Sequence, residues 1–415
     1  MLDINKIRKD FPILERKIYG KNLVYLDNAA TSQRPVSVLE QLEQLNTVSN
    51  GNIHRSYHTL GEEATEAYEV ARMKVAEFIG AASKDEIIYT SGTTASINLL
   101  AYSFSEAFLK KGDKVIISSA EHHSNLVPWQ LACARYGAEL VVFKVEENGR
   151  WDLARFESLL DDRVRLVAMN HISNVLGVVN PVKEMIAIAH RHDIPVMIDG
   201  AQGIVHSKVN VQEMDCDFYV FSGHKIFAPT GTGILYGKRK YLEAMPPFMG
   251  GGDMVGNVTF EKTTYAEIPL KFEAGTPNFV GQACLKTAIE YAEYLQTMEE
   301  DIRLHEKQII DIVFKGVSEI EGARILGDAG ACDEHGYADR TPVFSITVDG
   351  ANPSDMAQIL DKMGIAARSG MLCAQPLLDT YGLTSVLRVS FLPYNTAEEA
   401  EYFIASLKRA VRMLR

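Results

Sequence analysis

The sequence predicts an α/β fold in which a large domain, built on a mostly parallel seven-stranded sheet, is followed by a smaller α+β C-terminal domain. Three observations lead there. Between about residues 24 and 236, short apolar runs rich in β-branched residues alternate with helical periodicity, the pattern of a parallel sheet covered on both faces. After about residue 290 the alternation gives way to helix, isolated strands and a terminal helix. A chain of 415 residues is also long for a single core, so two domains are expected.

The expected strands are Ile87–Thr90, Lys114–Ser118, Leu140–Phe143, Leu166–Asn170, Val196–Asp199, Phe218–Phe221 and Gly233–Tyr236. Between them lie helical stretches at Ala95–Phe108, Leu126–Tyr136, Leu153–Leu160 and Val182–His190. Pro181 suits the first turn of the last of these helices, with Asn180 as its cap. From Met245 to Asn278 the sequence is rich in Pro and Gly and has little periodicity. A structured excursion of that length is often functional. Helix then runs from Val280 to Val317, with a break near Thr297–Asp301, followed by strand Val343–Val348, helix Ser354–Met363, strand Val386–Phe391 and a helix from Ala397. The expected division is an N-terminal segment, residues 1–22, packing with the small domain; a large domain, residues 23–290; and a small domain, residues 291–415.

A formal net charge of −12 argues against a nucleic-acid partner, which usually leaves a basic footprint. The five cysteines, at 133, 216, 284, 332 and 373, form no CxxC pair and no disulfide framework. No HExxH or tight ligand cluster suggests a metal. No apolar run approaches the roughly 20 residues needed to cross a bilayer. A cytoplasmic protein without a membrane partner is therefore expected.

Two segments carry chemistry. FYVF runs into Ser222-Gly223-His224-Lys225, which places an amine at the edge where α/β sheets bind ligands. Lys225 is either an imine-forming amine or a surface lysine closing a strand. Asp199 ends the apolar run VMID and needs a partner if half buried; a protonated pyridine nitrogen would be one, a turn cap the alternative. Ser91-Gly92-Thr93-Thr94 opens a helix after a strand and could present N–H groups and hydroxyls to an anion. Neither GxGxxG after a strand nor GxxxxGK[ST] is present, which disfavours the commonest nucleotide sites. His122, after strand Lys114–Ser118, could stack on a heteroaromatic ring or be an ordinary surface residue. The second segment is RSGMLCAQP, with Cys373 in a turn between Gly370 and Pro376. Cys133, Cys216 and Cys284 have the surroundings of small core residues, whereas Cys332 lies in a polar, glycine-rich loop expected to be exposed.

These segments together resemble the group II cysteine desulfurases, which also include selenocysteine lyases, among the class V aminotransferase-like pyridoxal-phosphate enzymes. The likeness runs from YLDNAATSQRP through NIHRSYHTL, SGTTASINL, EHHSNLVPW, NHISNVLG, DGAQ, SGHK, FEAGTPN and RSGMLCAQP to LRVSFLPYNT. The resemblance implies a fold type I transferase with pyridoxal 5′-phosphate as cofactor. It implies that Lys225 carries the cofactor, that Asp199 pairs with its ring nitrogen, that His122 stacks on the ring and moves protons, and that Gln202 donates to the phenolate oxygen. Thr93, Thr94, Ser222 and His224 match phosphate-binding positions, and Thr276 matches one that reaches the opposite subunit of a homodimer. Arg388 and Asn174 match the holders of the substrate carboxylate, and His58 and Arg368 match residues near the substrate pocket. Cys373 matches the sulfur-accepting cysteine. The implied reaction takes sulfur from L-cysteine, or selenium from L-selenocysteine, leaves L-alanine, and passes the sulfur to a small acceptor protein for iron–sulfur cluster assembly or related sulfur transfer.

One departure stands out: Met371 and Leu372 occupy positions where many relatives carry histidine, so the turn itself offers Cys373 no base or donor. Two other readings compete. An aminotransferase-like enzyme would need no protein thiol, and a noncatalytic binder of a sulfur acceptor would need no Lys225/Asp199 pair.

Overall fold

The computed structural model describes residues 2–328 and 339–415. Its large sheet has seven strands in the order Ile87–Thr90, Gly233–Gly237, Phe218–Ser222, Val196–Asp199, Val164–Asn170, Lys114–Ser118 and Glu139–Phe143. Only Gly233–Gly237 is antiparallel to its neighbours; the others run one way. The carboxyl ends Thr90, Ser118, Asn170, Asp199 and Ser222 therefore share one edge, where open α/β sheets place ligands. Central strands such as Val196–Asp199 are buried along their whole length, as expected for a sheet covered on both faces.

Each expected strand forms, with some ends extended by a residue or two and Val386–Phe391 ending one residue early, at Ser390. The helix at Leu153 ends early, at Glu157. Asn180 is not a helix cap: Pro181 takes the N-cap position, and the Asn180 amide instead donates to the backbone and side-chain oxygens of Asn170, both at 2.8 Å. A buried amide gains more from satisfying a neighbouring strand end than from a solvated helix terminus. The expected break after residue 296 separates helices Phe279–Gln296 and Glu299–Ser318. The excursion between them and the sheet contains a hairpin, Val255–Val258 with Thr263–Tyr265, whose tip residue Phe260 is fully exposed.

Residues 323–390 supply an antiparallel sheet in the order Ala323–Ile325, Val343–Val348, Val386–Ser390 and Arg368–Gly370. Helices Glu299–Ser318, Pro353–Lys362 and Ala397–Leu414 pack on it through Ile309, Val313, Met356, Leu360, Phe403 and Leu407. The last helix begins in a capping box in which Thr396 and Glu399 satisfy each other's backbone N–H. The start of the chain is stitched to both bodies of structure. Phe11 packs against Phe227, Tyr291 and Tyr394, and Arg8 pairs with Glu399 at 2.9 Å. Val24–Tyr25 runs parallel to Ile365–Ala366, and Asp27 bridges to Ser390. That pairing brings Asp27 beside the arginine-bearing strand Val386–Ser390.

Among the described residues no helix is long and apolar enough to cross a membrane. Cys133, Cys216 and Cys284 are buried, as expected, and Cys373 is exposed. Cys332 lies outside the described residues.

A buried ion pair fixes the loop that carries Thr276. Arg72, fully buried, donates from Nη1 to Glu273 Oε1 at 2.6 Å and from Nη2 to Oε2 at 2.9 Å. Tyr89 N–H and Tyr68 O–H donate to the same carboxylate, at 2.7 and 3.0 Å. Removing Glu273 leaves the buried Arg72 cation only the Ile87 carbonyl at 2.8 Å and the longer 3.3 Å contacts to Glu69. Glu273→Ala is expected to lower unfolding free energy by about 3–5 kcal/mol, measurable by urea denaturation of the cofactor-loaded protein. A loss below about 1 kcal/mol would mean that water or a neighbouring group takes over from the carboxylate.

Candidate active site

A cavity of about 300 Å³ opens at the carboxyl edge of the large sheet, between that edge and the Arg368–Gly370 and Val386–Ser390 strands. Lys225 reaches it from the turn Gly223–Lys225, which directly follows Phe218–Ser222. Glycine is needed at 223 because a Cβ there would lie 2.2 Å from Thr232 Oγ1. Burial lowers the Lys225 ammonium to about 8, with Asp199 opposing the shift and the Arg388 cation adding to it.

Asp199 ends the central strand and is 5% exposed. Burial pushes its carboxyl upward, opposed by the Ala201 N–H, which donates to Oδ1 at 2.9 Å, and by Lys225. Tyr219 packs so tightly behind it that a Cβ at Gly200 would lie 2.1 Å from the ring. The Tyr219 hydroxyl meets His171 Nδ1 at 3.2 Å. Asp199 is therefore a buried acid held from behind, with no cation bonded to it among the described residues.

The anion-binding end is the N-terminus of the helix Thr93–Phe108. Its N-cap Gly92 has φ +149° and, lacking a side chain, cannot cap the helix itself. Thr93 uses its N–H and hydroxyl on Ser222 Oγ, both at 2.8 Å, so Ser222 and Thr93 brace each other. Thr94 Oγ1 lies 2.7 Å from Ser124 Oγ. His224 lies on the other side, with Nδ1 at 3.2 Å from Thr31 Oγ1, and burial lowers it to about 4.

His122 lines the same cavity. The Ser124 N–H donates to its Nδ1 at 3.1 Å, which leaves the ring proton on Nε2. Burial first, then the neighbouring Lys225, His123 and Arg388, lower its pKa to about 4, so the ring is neutral. Gln202, 3% exposed, donates from Nε2 to Ala29 O at 2.8 Å.

At the far end Arg388, 3% exposed, donates to Asn174 O at 3.2 Å and Asp27 Oδ1 at 3.1 Å, and its Nε is buried without a partner. Arg368 donates to both oxygens of Asp27, at 2.9 to 3.1 Å. Asn174 lines the cavity, but its Nδ2 is engaged with Leu372 O at 3.0 Å. It therefore holds the cysteine turn. Cys373 lines the same cavity as Lys225.

The structure thus brings together Lys225, Asp199, Gln202, His122, Thr93, Thr94, Ser222, His224, Arg388, Asn174, Arg368 and Cys373. It leaves two expected residues outside. His58 is exposed and caps the helix Thr59–Phe78, accepting from Gly61 N–H at 3.2 Å. Thr276 is exposed and does not line the cavity. Asp27 and Asn170 went unremarked in the sequence. Asp27 bridges the two arginines, and Asn170 ends a strand in the cavity wall. The signal for Asp27 was an acid between an apolar strand and small residues in VYLDNAA, the same pattern that marked Asp199 in VMIDGA.

A desolvated lysine, a buried acid, a helix N-terminus and two arginines around one cavity suit a pyridoxal-phosphate enzyme of the transferase type. The family model described as Aminotransferase class-V matches residues 24–403. The chain is 43% identical over 412 residues to a cysteine desulfurase of Pectobacterium atrosepticum, covering 99% of this chain and 98% of the relative. The crystal structure of a cysteine desulfurase from Escherichia coli superposes with a TM-score of 0.90 at 36% identity, covering 100% of both chains. The apo structure of a cysteine desulfurase from Thermococcus onnurineus also gives 0.90, at 34% identity, covering 100% of this chain and 99% of that one. The chain belongs to the class-V aminotransferase family and, within it, to the group II cysteine desulfurases. The cofactor of this family is pyridoxal 5′-phosphate, and the residues present fit it: among the described residues no cation is bonded to Asp199, Lys225 is buried, and the N-cap Gly92 of the Thr93–Phe108 helix offers no side chain in place of an anion.

Proposed function

We propose that this chain is a cysteine desulfurase that converts L-cysteine to L-alanine and holds the removed sulfur on Cys373 as a persulfide. The observation that carries this reading is the exposed Cys373 thiol lining the same cavity as Lys225, Asp199 and Arg388. Bound pyridoxal phosphate supplies an electron sink conjugated to the substrate nitrogen.

The chain's own residues do the rest. Lys225 would hold the cofactor and, as the free amine, would take the Cα proton; burial shifts it toward its neutral form. Asp199 would keep a proton on the ring nitrogen. His122, with only Nε2 left to exchange a proton, relays protons near the reacting carbons. The N-terminus of the Thr93–Phe108 helix, Thr94, Ser222 and His224 would hold the phosphate. Arg388 and Arg368 hold the substrate carboxylate, which would take Asp27's place on them. The Cys373 thiolate then attacks the substrate sulfur. An S–S bond forms, the C–S bond breaks, its electron pair passes to carbon, and a proton completes the methyl group of alanine. Atoms and electrons balance without an external oxidant.

The match of Thr276, exposed outside this cavity, to a position that reaches the opposite subunit's phosphate supports a homodimer. The persulfide then passes to a small sulfur-acceptor protein. A reducing cytoplasm suits a free nucleophilic thiol. A second reading, selenocysteine lyase, is favoured by Met371 and Leu372, because selenium leaves more readily without help from the thiol.

The test is incubation of the cofactor-loaded protein with L-cysteine and, separately, L-selenocysteine. The expected result is alanine from L-cysteine, with one extra sulfur atom on the Cys373 peptide by mass spectrometry. Alanine from L-selenocysteine alone, with no persulfide, would replace the first reading by the second.

A further inference from the structure

We propose that His123, outside the cofactor-contacting set, is a positioning residue that braces the Cys373 turn in its reactive conformation; this rests on the reading of Cys373 as the sulfur acceptor. The turn opposes the ordinary preference of L-residues. Leu372 and Cys373 both have φ +55°, two consecutive left-handed residues of which neither is glycine. Such a pair persists where its surroundings over-determine it.

Hydrogen bonds from outside the turn supply that constraint. Asn174 Nδ2 donates to Leu372 O at 3.0 Å. The other two contacts both belong to His123: its backbone N–H donates to Cys373 O at 2.7 Å, and its Nε2 accepts from the Gln375 N–H at 3.1 Å. His123 therefore grips the residue that carries the thiol and the one two positions later. The ring's acceptor nitrogen is spent on a backbone N–H, so it is not a base for the thiol. Its contribution is geometric.

The location gives this bracing its consequence. His122 and His123 are adjacent at the start of the turn His123–Asn125, and His122 faces the cavity with Nδ1 fixed by the next N–H but one. One rigid turn at the carboxyl end of the Lys114–Ser118 strand thus sets both the proton-relaying ring and the thiol. Although Met371 and Leu372 deprive the cysteine of histidines from its own turn, a histidine some 250 residues earlier in the chain is bonded directly to that turn.

The test compares His123→Ala and His123→Gln in the cofactor-loaded protein, because glutamine can place an acceptor oxygen near the position of Nε2. Single-turnover persulfide formation on Cys373 is expected to fall about fivefold in His123→Ala, the scale of one net hydrogen bond. It should recover in His123→Gln. The cofactor's visible spectrum, the KM for L-cysteine and alanine release from L-selenocysteine should stay unchanged in both variants, a split that general damage to the site would not give. Equal persulfide rates in His123→Ala and the unchanged protein would overturn the proposal. So would parallel loss of cofactor or of selenocysteine turnover, or failure of glutamine to restore the rate. Absence of persulfide from the unchanged protein would instead overturn the sulfur-acceptor reading beneath it.

Discussion

Lys225→Ala abolishes turnover of L-cysteine while leaving the fold intact. The residue has two tasks, holding the cofactor and moving the Cα proton, and alanine performs neither. Proton transfer by a positioned group alone is worth roughly 10²–10⁴-fold, so a loss at or beyond the upper end of that range is expected. The side chain is buried, with burial pulling its pKa down to about 8. Removing a cation from such a place relieves a desolvation cost, so thermal stability should hold or rise. The same depressed pKa fixes a pH dependence in the cofactor-free protein. Below about pH 8 Lys225 is protonated and cannot attack an aldehyde; above it, the free amine predominates. Capture of added pyridoxal phosphate, followed by the visible band of the lysine-bound form, should therefore accelerate with rising pH and level off above about 8. Residual turnover in Lys225→Ala within tenfold of the unchanged protein would remove the lysine from the proton transfers.

The parts of this site that were legible in the sequence share a physical trait: each follows directly from a strand end. Lys225 and Asp199 stand at or just beyond the carboxyl ends of Phe218–Ser222 and Val196–Asp199. Because parallel strands align those ends, local pattern alone predicts that the two residues meet. The strands themselves were legible because burial on both faces leaves continuous apolar runs. What could not be read were contacts made by distant pairing. Asp27 reaches Arg368 and Arg388 only because Val24–Tyr25 pairs with Ile365–Ala366 and Asp27 bridges to Ser390. Asn174 was expected to hold substrate, yet its amide holds the Leu372 carbonyl. Asn180 misled for a related reason: helix-cap chemistry is local, and the satisfaction of Asn170 is not. Met371 and Leu372 leave the turn itself without a base or donor, and His123 contacts that turn through the Gln375 N–H without replacing the missing base.

Cys373→Ser separates the steps before the thiol from the step that needs it. The side chain is exposed, so the substitution should change stability by no more than about 0.5 kcal/mol. Lys225, Asp199, His122 and Arg388 stay in place, so L-cysteine should still bind and its Cα hydrogen should still exchange with solvent deuterium. Sulfur transfer fails, because a serine hydroxyl stays protonated where a thiol gives a competent thiolate. Alanine formation from L-cysteine is expected to fall about a thousandfold, equivalent to about 4 kcal/mol of transition-state stabilisation. L-selenocysteine should lose much less, since its selenium can depart without an attacking group. The three readouts together decide between mechanisms. Retained exchange with lost alanine places the thiol after proton removal and makes Cys373 the acceptor. Unchanged alanine from L-cysteine would remove the protein thiol from the reaction and favour aminotransferase-like or lyase chemistry. Loss of exchange as well would mean that Cys373 is already needed to assemble the site around the substrate, and the turn braced by His123 and Asn174 would then act before sulfur moves.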